Sequence, residues 1–489
     1  MSQPTDKPAD NVPHVGSAIR SAMVWNLVTM AFAQIALAAI FLLLTARLNP
    51  TTFGIFALAA VMTDLFYSLG SSSAVDAIVQ RQDYSRNTLS TVTWTALVIC
   101  VIVSVAFAVV AEYYAAAIKV PQVGSILEAL SLTTLMLPFA IAPLAVMRQR
   151  MDFKGLALLN MIASFAGAVT ALGVAYTPYV EWSLVVQRLV ATLTTITLAT
   201  IRTSAFPAFS FSFSASGSWL TAVSRIFVGQ GVAKATPRMV DLLVGLFFNA
   251  TMVGYLRVAS RLFDIALNLL VNPFAQLWVV LLSRDKDSVE ARRSIFLQLS
   301  NLTALIALPA FIGLALASKE LVALILTPEY APVAGPLSVL CALGVFVPLT
   351  NPRNAVFTAL QKFDHLVWYS TLDFAVTLVA MVATASFGPL VMLSSAALAS
   401  ITMIVFALPV ILRSLDISKR QLVARLMPPY IAVAIMAVTI LAIQPELRSF
   451  APLQVLMIKV GVGVVVYLGV LALFFRRSVF DAFRVVAAR

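Results

Sequence analysis

Long apolar runs, broken by short polar or charged stretches, dominate the chain. Fourteen of them are long enough to cross the roughly 30 Å hydrocarbon core of a bilayer as helices. Their expected limits are 22–46, 54–75, 90–114, 124–147, 155–175, 182–201, 219–246, 254–281, 295–318, 334–358, 366–386, 390–412, 427–444 and 454–475. The pattern predicts an all-α integral membrane protein. The first run is too long for a signal-peptide core and is read as a retained helix. Before it lies a polar stretch containing Pro4, Pro8 and Pro13, which reads as a disordered tail.

Composition agrees. Of 489 residues, 61% are hydrophobic and 11% charged, against roughly 25% charged in soluble domains. The net charge of +12 does not point to nucleic acid, because the basic residues punctuate the apolar runs. With the N-terminus inside, twenty-one of the 33 Lys and Arg residues fall on inside segments. Only Arg47, Lys119, Lys319 and Arg448 fall outside, and the rest lie within spans. This bias puts both termini in the cytoplasm. Cys100 and Cys341 sit in separate apolar runs and read as core residues; His14 and His365 lack ligand-type neighbours. No metal or cofactor is expected.

The break at 202–218, with its Phe/Ser-rich run, separates the first six spans from the rest. The expected organisation is a tail at 1–20, an N-lobe at 21–201, a linker at 202–218, a C-lobe at 219–412, and two further spans with a cytoplasmic end at 413–489. A shift of 200 residues superposes Asn49, Thr51, Gly54, Ala59 and Asp64 on Asn249, Thr251, Gly254, Ala259 and Asp264. Two pseudo-symmetric six-helix lobes are a common transporter plan, with the substrate between them.

Charges within the hydrocarbon are costly and usually face an aqueous cavity or a partner. Span 7 carries Gln230, Lys234, Arg238 and Asp241 at helical spacing, with Pro237 expected to bend it. Span 8 carries Arg257, Arg261, Asp264, Asn268 and Asn272 in a second stripe. Two readings stand. The pairs Arg238–Asp241 and Arg261–Asp264 are i, i+3 neighbours able to bridge internally, which leaves Lys234 and Arg257 without an obvious carboxylate. Alternatively, the stripes, with net positive charge, form a cationic cavity wall, the reading favoured here. Span 10, with Pro348, Asn351, Pro352, Arg353 and Asn354, is either a broken helix offering Arg353 to the cavity or a structural kink. Arg188 and Asp64 are the main buried ions of the first lobe, and Arg225 reads as an interface residue. Asp373 is a candidate partner for a cavity cation or a ligand for a coupling ion, and Asp64 and Asp264 are further coupling candidates. No nucleotide loop, metal-spaced cluster or large external domain is evident. The outside segment 319–333 reads as an amphipathic or re-entrant piece.

Several motifs share a family character: 45–54 (TARLNPTTFG), 78–83 (IVQRQD) with 89–94 (LSTVTW), 148–154 (RQRMDFK) and 254–262 (GYLRVASRL). In order and spacing they resemble the polysaccharide-transport branch of the multidrug/oligosaccharidyl-lipid/polysaccharide exporter superfamily, the Wzx-type flippases. The likeness covers most of the first eight spans and is weak in the last four. Leu256 stands where a second Tyr is common, and Arg238 where an Asn is common.

The resemblance implies two six-helix lobes plus two helices, alternating access, and a polyprenyl-pyrophosphate-linked oligosaccharide as substrate. Within the branch the chain looks most like exporters of acidic exopolysaccharides such as succinoglycan. The pyrophosphate is expected at Lys234, Arg238, Arg257 and Arg261, with Arg188 and Arg353 as further candidates. Partners implied are membrane lipid and the polysaccharide polymerase and export machinery. A cation-coupled small-molecule exporter of the same fold is the alternative reading. A membrane polysaccharide polymerase or ligase is a third, disfavoured because no outside segment is long enough to house a reactive site.

Overall fold

The computed structural model describes residues 34–272, 278, 288–360 and 363–475. Among the described residues the regular structure is all helix. In chain order the helices are α1 (Gln34–Thr45), α2 (Pro50–Arg81), α3 (Arg86–Ile118), α4 (Gln122–Gln149), α5 (Phe153–Ala175), α6 (Ser183–Thr203), α7 (Phe213–Phe247) and α8 (Ala250–Leu270). They continue as α9 (Val289–Leu316), α10 (Ser318–Ile325), α11 (Ala334–Leu343), α12 (Val347–Ala359), α13 (Phe363–Thr384), α14 (Pro389–Ser414), α15 (Lys419–Ile443) and α16 (Pro452–Phe474). Eleven described segments are long and apolar enough to cross a membrane, so this is a multi-pass membrane protein.

Three of the fourteen expected spans are not among these eleven. Only the end of the first span, α1, is described. Every stretch of α8 long enough to span carries three charges, and in α7 Ser, Gly and Gln dilute the apolar residues where charges are few. The tail at 1–20 and His14, the end of the eighth span beyond Asn272 except Trp278, and the residues from 476 onward lie outside the described residues.

Helices also overrun their expected limits, because polar caps rather than apolar residues end them. Asn49, Ser85, Asp152, Ser212, Asn249, Ser288 and Ser418 each accept a backbone N–H from the first turn of the following helix. The non-helical connection between the lobes is thereby shortened to 204–212. It is stitched to α3: the Ala208 N–H donates to Ser90 Oγ (2.7 Å), the Ser212 N–H to Thr91 Oγ1 (3.1 Å), and Trp94 Nε1 donates to the Ala208 carbonyl (2.8 Å). Span 10 is divided into α11, a 3-10 turn at Gly344–Phe346, and α12. The segment at 319–333 holds most of the short helix α10 and a 3-10 turn at Pro328–Val333.

Helix α2 packs against α4, α7 and α8. Its crossing with α8 reveals the internal symmetry. A Cβ on Gly54 would overlap the Ala250 carbonyl, and a Cβ on Gly254 would overlap the Pro50 carbonyl. Both pairings exchange under the 200-residue shift. Thr51 and Thr251 share a hydrogen bond of 2.9 Å on the same axis, while Asn49 and Asn249 cap the two helices in the same way, to the amides of Thr52 (2.8 Å) and Met252 (2.9 Å). Small residues let two membrane helices approach backbone to backbone. Here they do so about a local two-fold axis relating the hairpins.

Candidate functional site

Beyond the crossing, α2, α6, α7 and α8 bring five charged side chains together. Asp64 on α2 is bridged by two guanidiniums: Arg188 of α6 on Oδ1, and Arg238 of α7 on Oδ2 at 2.9 Å. Asp241, one turn after Arg238, accepts Arg257 of α8 at 2.7 Å and lies 3.9 Å from Arg238. The carboxylates are buried, whereas the arginine side chains keep 26–32% of their surface exposed. The cluster therefore has an open cationic face over an acidic floor. Three arginines against two aspartates leave a net charge of +1. The Tyr67 ring, one turn from Asp64, lies 5.4 Å from the Arg188 guanidinium and anchors it by cation–π attraction.

Helical periodicity explains why these residues meet. Arg238 and Asp241 share a face of α7, and the antiparallel α8 brings Arg257 alongside Asp241. Asp64 reaches α7 because α2 threads between the helices of both lobes. Helix α7 runs continuously through Pro237. The proline cannot donate to the carbonyl four residues back, so α7 carries a weak point inside the site.

The other expected residues are distributed more widely. Lys234 lies one turn from Arg238 and donates to the Ser68 carbonyl (2.9 Å) and Ser72 Oγ (2.6 Å), so neutral oxygens hold it. Arg261 forms no ion pair among the described residues. Asp264, exposed, feels Arg261 and Arg257 as its neighbouring charges. Asn272, just past the end of α8, donates to Asn268 on it at 2.5 Å. The Gln230 side chain lies outside the described residues. Elsewhere in the C-lobe, Arg353 of α12 lies within electrostatic range of Asp373 on α13. The buried Asp373 Oδ1 and, one turn on, Thr377 Oγ1 have no hydrogen-bond partner among the described residues. Arg225 is exposed. Cys100 and Cys341 are buried free thiols, and no group of three potential metal ligands occurs among the described residues.

Two expectations about pairing are corrected. Arg257, expected to lack a carboxylate, has Asp241. Arg238 is bound mainly by Asp64 from another helix, and Asp241 is its distant second partner. Ion pairing across helices is invisible to i, i+3 counting. Sequence reasoning also missed Tyr67, Ser68 and Ser72, one to two turns beyond Asp64 on its helix; only the spacing of Ser68 and Ser72, four and eight residues from Asp64, hinted at them. It missed the buried pair Lys459–Glu320 too (2.9 Å), where Lys459 of α16 also donates to the Leu316 carbonyl (2.8 Å).

The fold is shared with solved structures of multi-helix membrane proteins. A lipid II flippase, MurJ, in an inward closed conformation superposes with a TM-score of 0.75 at 12% identity, covering 92% of this chain and all of that one. An inward-facing multidrug resistance transporter of the MATE family superposes at 0.57 and 12% identity, covering 79% and 99%. Residues 43–335 match a family model described as "Polysaccharide biosynthesis protein", and the chain belongs to that family. The lipopolysaccharide biosynthesis protein WzxC of Escherichia coli (strain K12) is 22% identical over 64% of each chain. The succinoglycan biosynthesis transport protein ExoT of Rhizobium meliloti (strain 1021) is 27% identical over 30% of each. The teichuronic acid biosynthesis protein TuaB of Bacillus subtilis (strain 168) is 22% identical over 63% of this chain and 65% of its own. These alignments span less than two thirds of each relative's length.

Proposed function

We propose that this protein is a flippase that moves a polyprenyl-pyrophosphate-linked exopolysaccharide repeat unit across the cytoplasmic membrane by alternating access. The observation that carries this reading is the arginine cluster joining α2, α6, α7 and α8. A pyrophosphate entering a bilayer-spanning protein loses hydration worth several kcal/mol or more, and guanidinium groups replace it through paired hydrogen bonds. Arg238 and Arg257 lead the substrate contacts, with Lys234 and Arg261 one turn away on the same helices and Arg188 and Arg353 as secondary candidates. The sugars occupy the space between the lobes and the polyprenyl tail stays in lipid. Asp64, Asp264 and Asp373 are the candidates for ion coupling. Both termini are cytoplasmic, and the polymerase and export machinery are the expected partners. The names of WzxC, ExoT and TuaB support a polysaccharide role, and that of ExoT an acidic product such as succinoglycan. A cation-coupled exporter of small molecules fits less well, because arginines outnumber carboxylates in the cluster.

Deleting the protein tests the reading directly: a lipid-linked oligosaccharide should accumulate on the cytoplasmic side. Arg261→Ala should abolish export at normal membrane abundance, as should Arg257→Ala once Asp241→Asn removes the carboxylate that the single variant would strand, and Arg→Lys should restore export only in part. Export regained by Arg261→Ala with Asp264→Asn would mean that Arg261 serves only to neutralise its neighbour. A reporter fused within 284–293 should read cytoplasmic; a periplasmic signal would overturn the orientation.

A further inference from the structure

In the structure every guanidinium of the cluster already holds a carboxylate of the chain itself. Asp64 uses its two oxygens separately, one for Arg188 and one for Arg238. Two neighbouring arginines thus converge on a pair of adjacent anionic oxygens, the arrangement a phosphate ester needs. Any ligand that takes Arg238 must first compete with Asp64. This competitor is tethered, so it acts at high effective concentration. A ligand with a single negative charge would replace the carboxylate like for like and gain nothing. A ligand with two linked phosphates brings at least two charges, and oxygens enough to engage Arg238 and Arg257 together. Asp241 sits between those two arginines and raises the same barrier to weakly charged ligands.

Resting on the reading that Arg238 and Arg257 take the substrate's pyrophosphate, we propose that Asp64 is an internal anion that selects diphosphate over monophosphate ligands and is displaced when the ligand binds. Displacement has a mechanical consequence. The Asp64–Arg238 bond joins α2 and α6 of the first lobe to α7 of the second. A bound diphosphate breaks that tie and leaves Asp64 with Arg188, whose guanidinium is kept in place by the Tyr67 ring. Ligand charge is thereby converted into freedom of the lobes to move, as a difference in affinity between two states requires.

The test uses the full chain in nanodiscs of neutral lipid at fixed ionic strength and mildly acidic pH, where orthophosphate carries one negative charge and pyrophosphate two or more, with these two anions as probes in titration calorimetry. Wild-type protein should bind pyrophosphate well over tenfold more tightly than orthophosphate. In Asp64→Asn, orthophosphate should gain about tenfold or more and pyrophosphate much less, so that the ratio collapses. Asp64→Asn with Arg188→Gln keeps the cluster's net charge and should show the same collapse, which guards against misfolding of the single variant. Spin labels at Gln82→Cys and Thr221→Cys, both exposed positions near the ends of α2 and α7, read the tie. Pyrophosphate should shift their distance in wild type, and in Asp64→Asn the shift should be present without ligand. An unchanged anion ratio in both variants, or a label distance indifferent to pyrophosphate and to Asp64→Asn, overturns the proposal. Failure of the wild type to bind pyrophosphate at all would instead bring down the anion site, and the proposal with it.

Discussion

Gly254→Ala is the sharpest perturbation of the fold. The added methyl would lie 2.7 Å from the Pro50 carbonyl carbon and closer still to its oxygen. Comfortable contact begins at about 3.5 Å, and the nearer oxygen sets the requirement, so α2 and α8 must part by roughly 1.5 Å. That separation stretches the 2.9 Å Thr51–Thr251 bond to about 4.4 Å, beyond hydrogen-bonding range. Overpacking costs about 1–3 kcal/mol, and an interhelical membrane hydrogen bond adds about 0.6, for a loss of about 1.6–3.6 kcal/mol. Reversible unfolding in bicelles by a denaturing detergent measures it. In parallel, Thr51→Cys with Thr251→Cys should oxidise readily to a disulfide, and Gly254→Ala should slow that reaction. Gly54→Ala meets the Ala250 carbonyl on the other side of the same axis. The double variant should therefore cost less than the sum of the singles, since one separation relieves both clashes. A Gly254→Ala protein within about 0.5 kcal/mol of wild type, with undiminished cross-linking, would refute the backbone crossing.

Other outcomes follow from the ion pairs. Arg257→Ala strands the buried Asp241 and should cost about 3–5 kcal/mol; adding Asp241→Asn should recover most of that stability in the same unfolding assay while export stays lost. Lys459→Met should destabilise by a similar amount of about 3–5 kcal/mol, because Glu320 is left without its cation, whereas Lys459→Met with Glu320→Leu should come back close to wild type. Outside the membrane, Thr88 Oγ1 (2.7 Å) and the Ser85 N–H (3.1 Å) donate to Asp83 and hold its carboxyl below the usual carboxylate range. A depressed acid stabilises the folded turn above the ordinary carboxylate value, at about pH 4, and that support is lost as the pH falls through the depressed value. Hydrogen exchange at the start of α3, corrected for its intrinsic rate, should therefore quicken on acidification below about pH 4, and Asp83→Asn should remove the pH dependence.

Much of this protein was legible in its residues taken in order. Apolar runs of bilayer length dictate helices, since lipid offers no partner for an unsatisfied backbone. The 200-residue repeat of Asn, Thr and Gly marks two hairpins that fold alike and meet on one axis. The spacing of Lys234, Arg238 and Asp241, and of Arg257, Arg261 and Asp264, fixes which charges share a helix face. Helix ends were less legible, because capping by Asn49 or Ser85 depends on one polar residue that a hydropathy average dilutes. Tertiary structure alone decided the partners. Whether Arg257 goes without a carboxylate or meets Asp241 on the preceding helix, and whether Arg238 answers to Asp241 or to Asp64 about 170 residues earlier, depends on how α2, α7 and α8 cross. That crossing is set by the small residues where backbones touch. Periodicity along one helix determines direction; the distance between helices determines which opposite charges come close enough to bind.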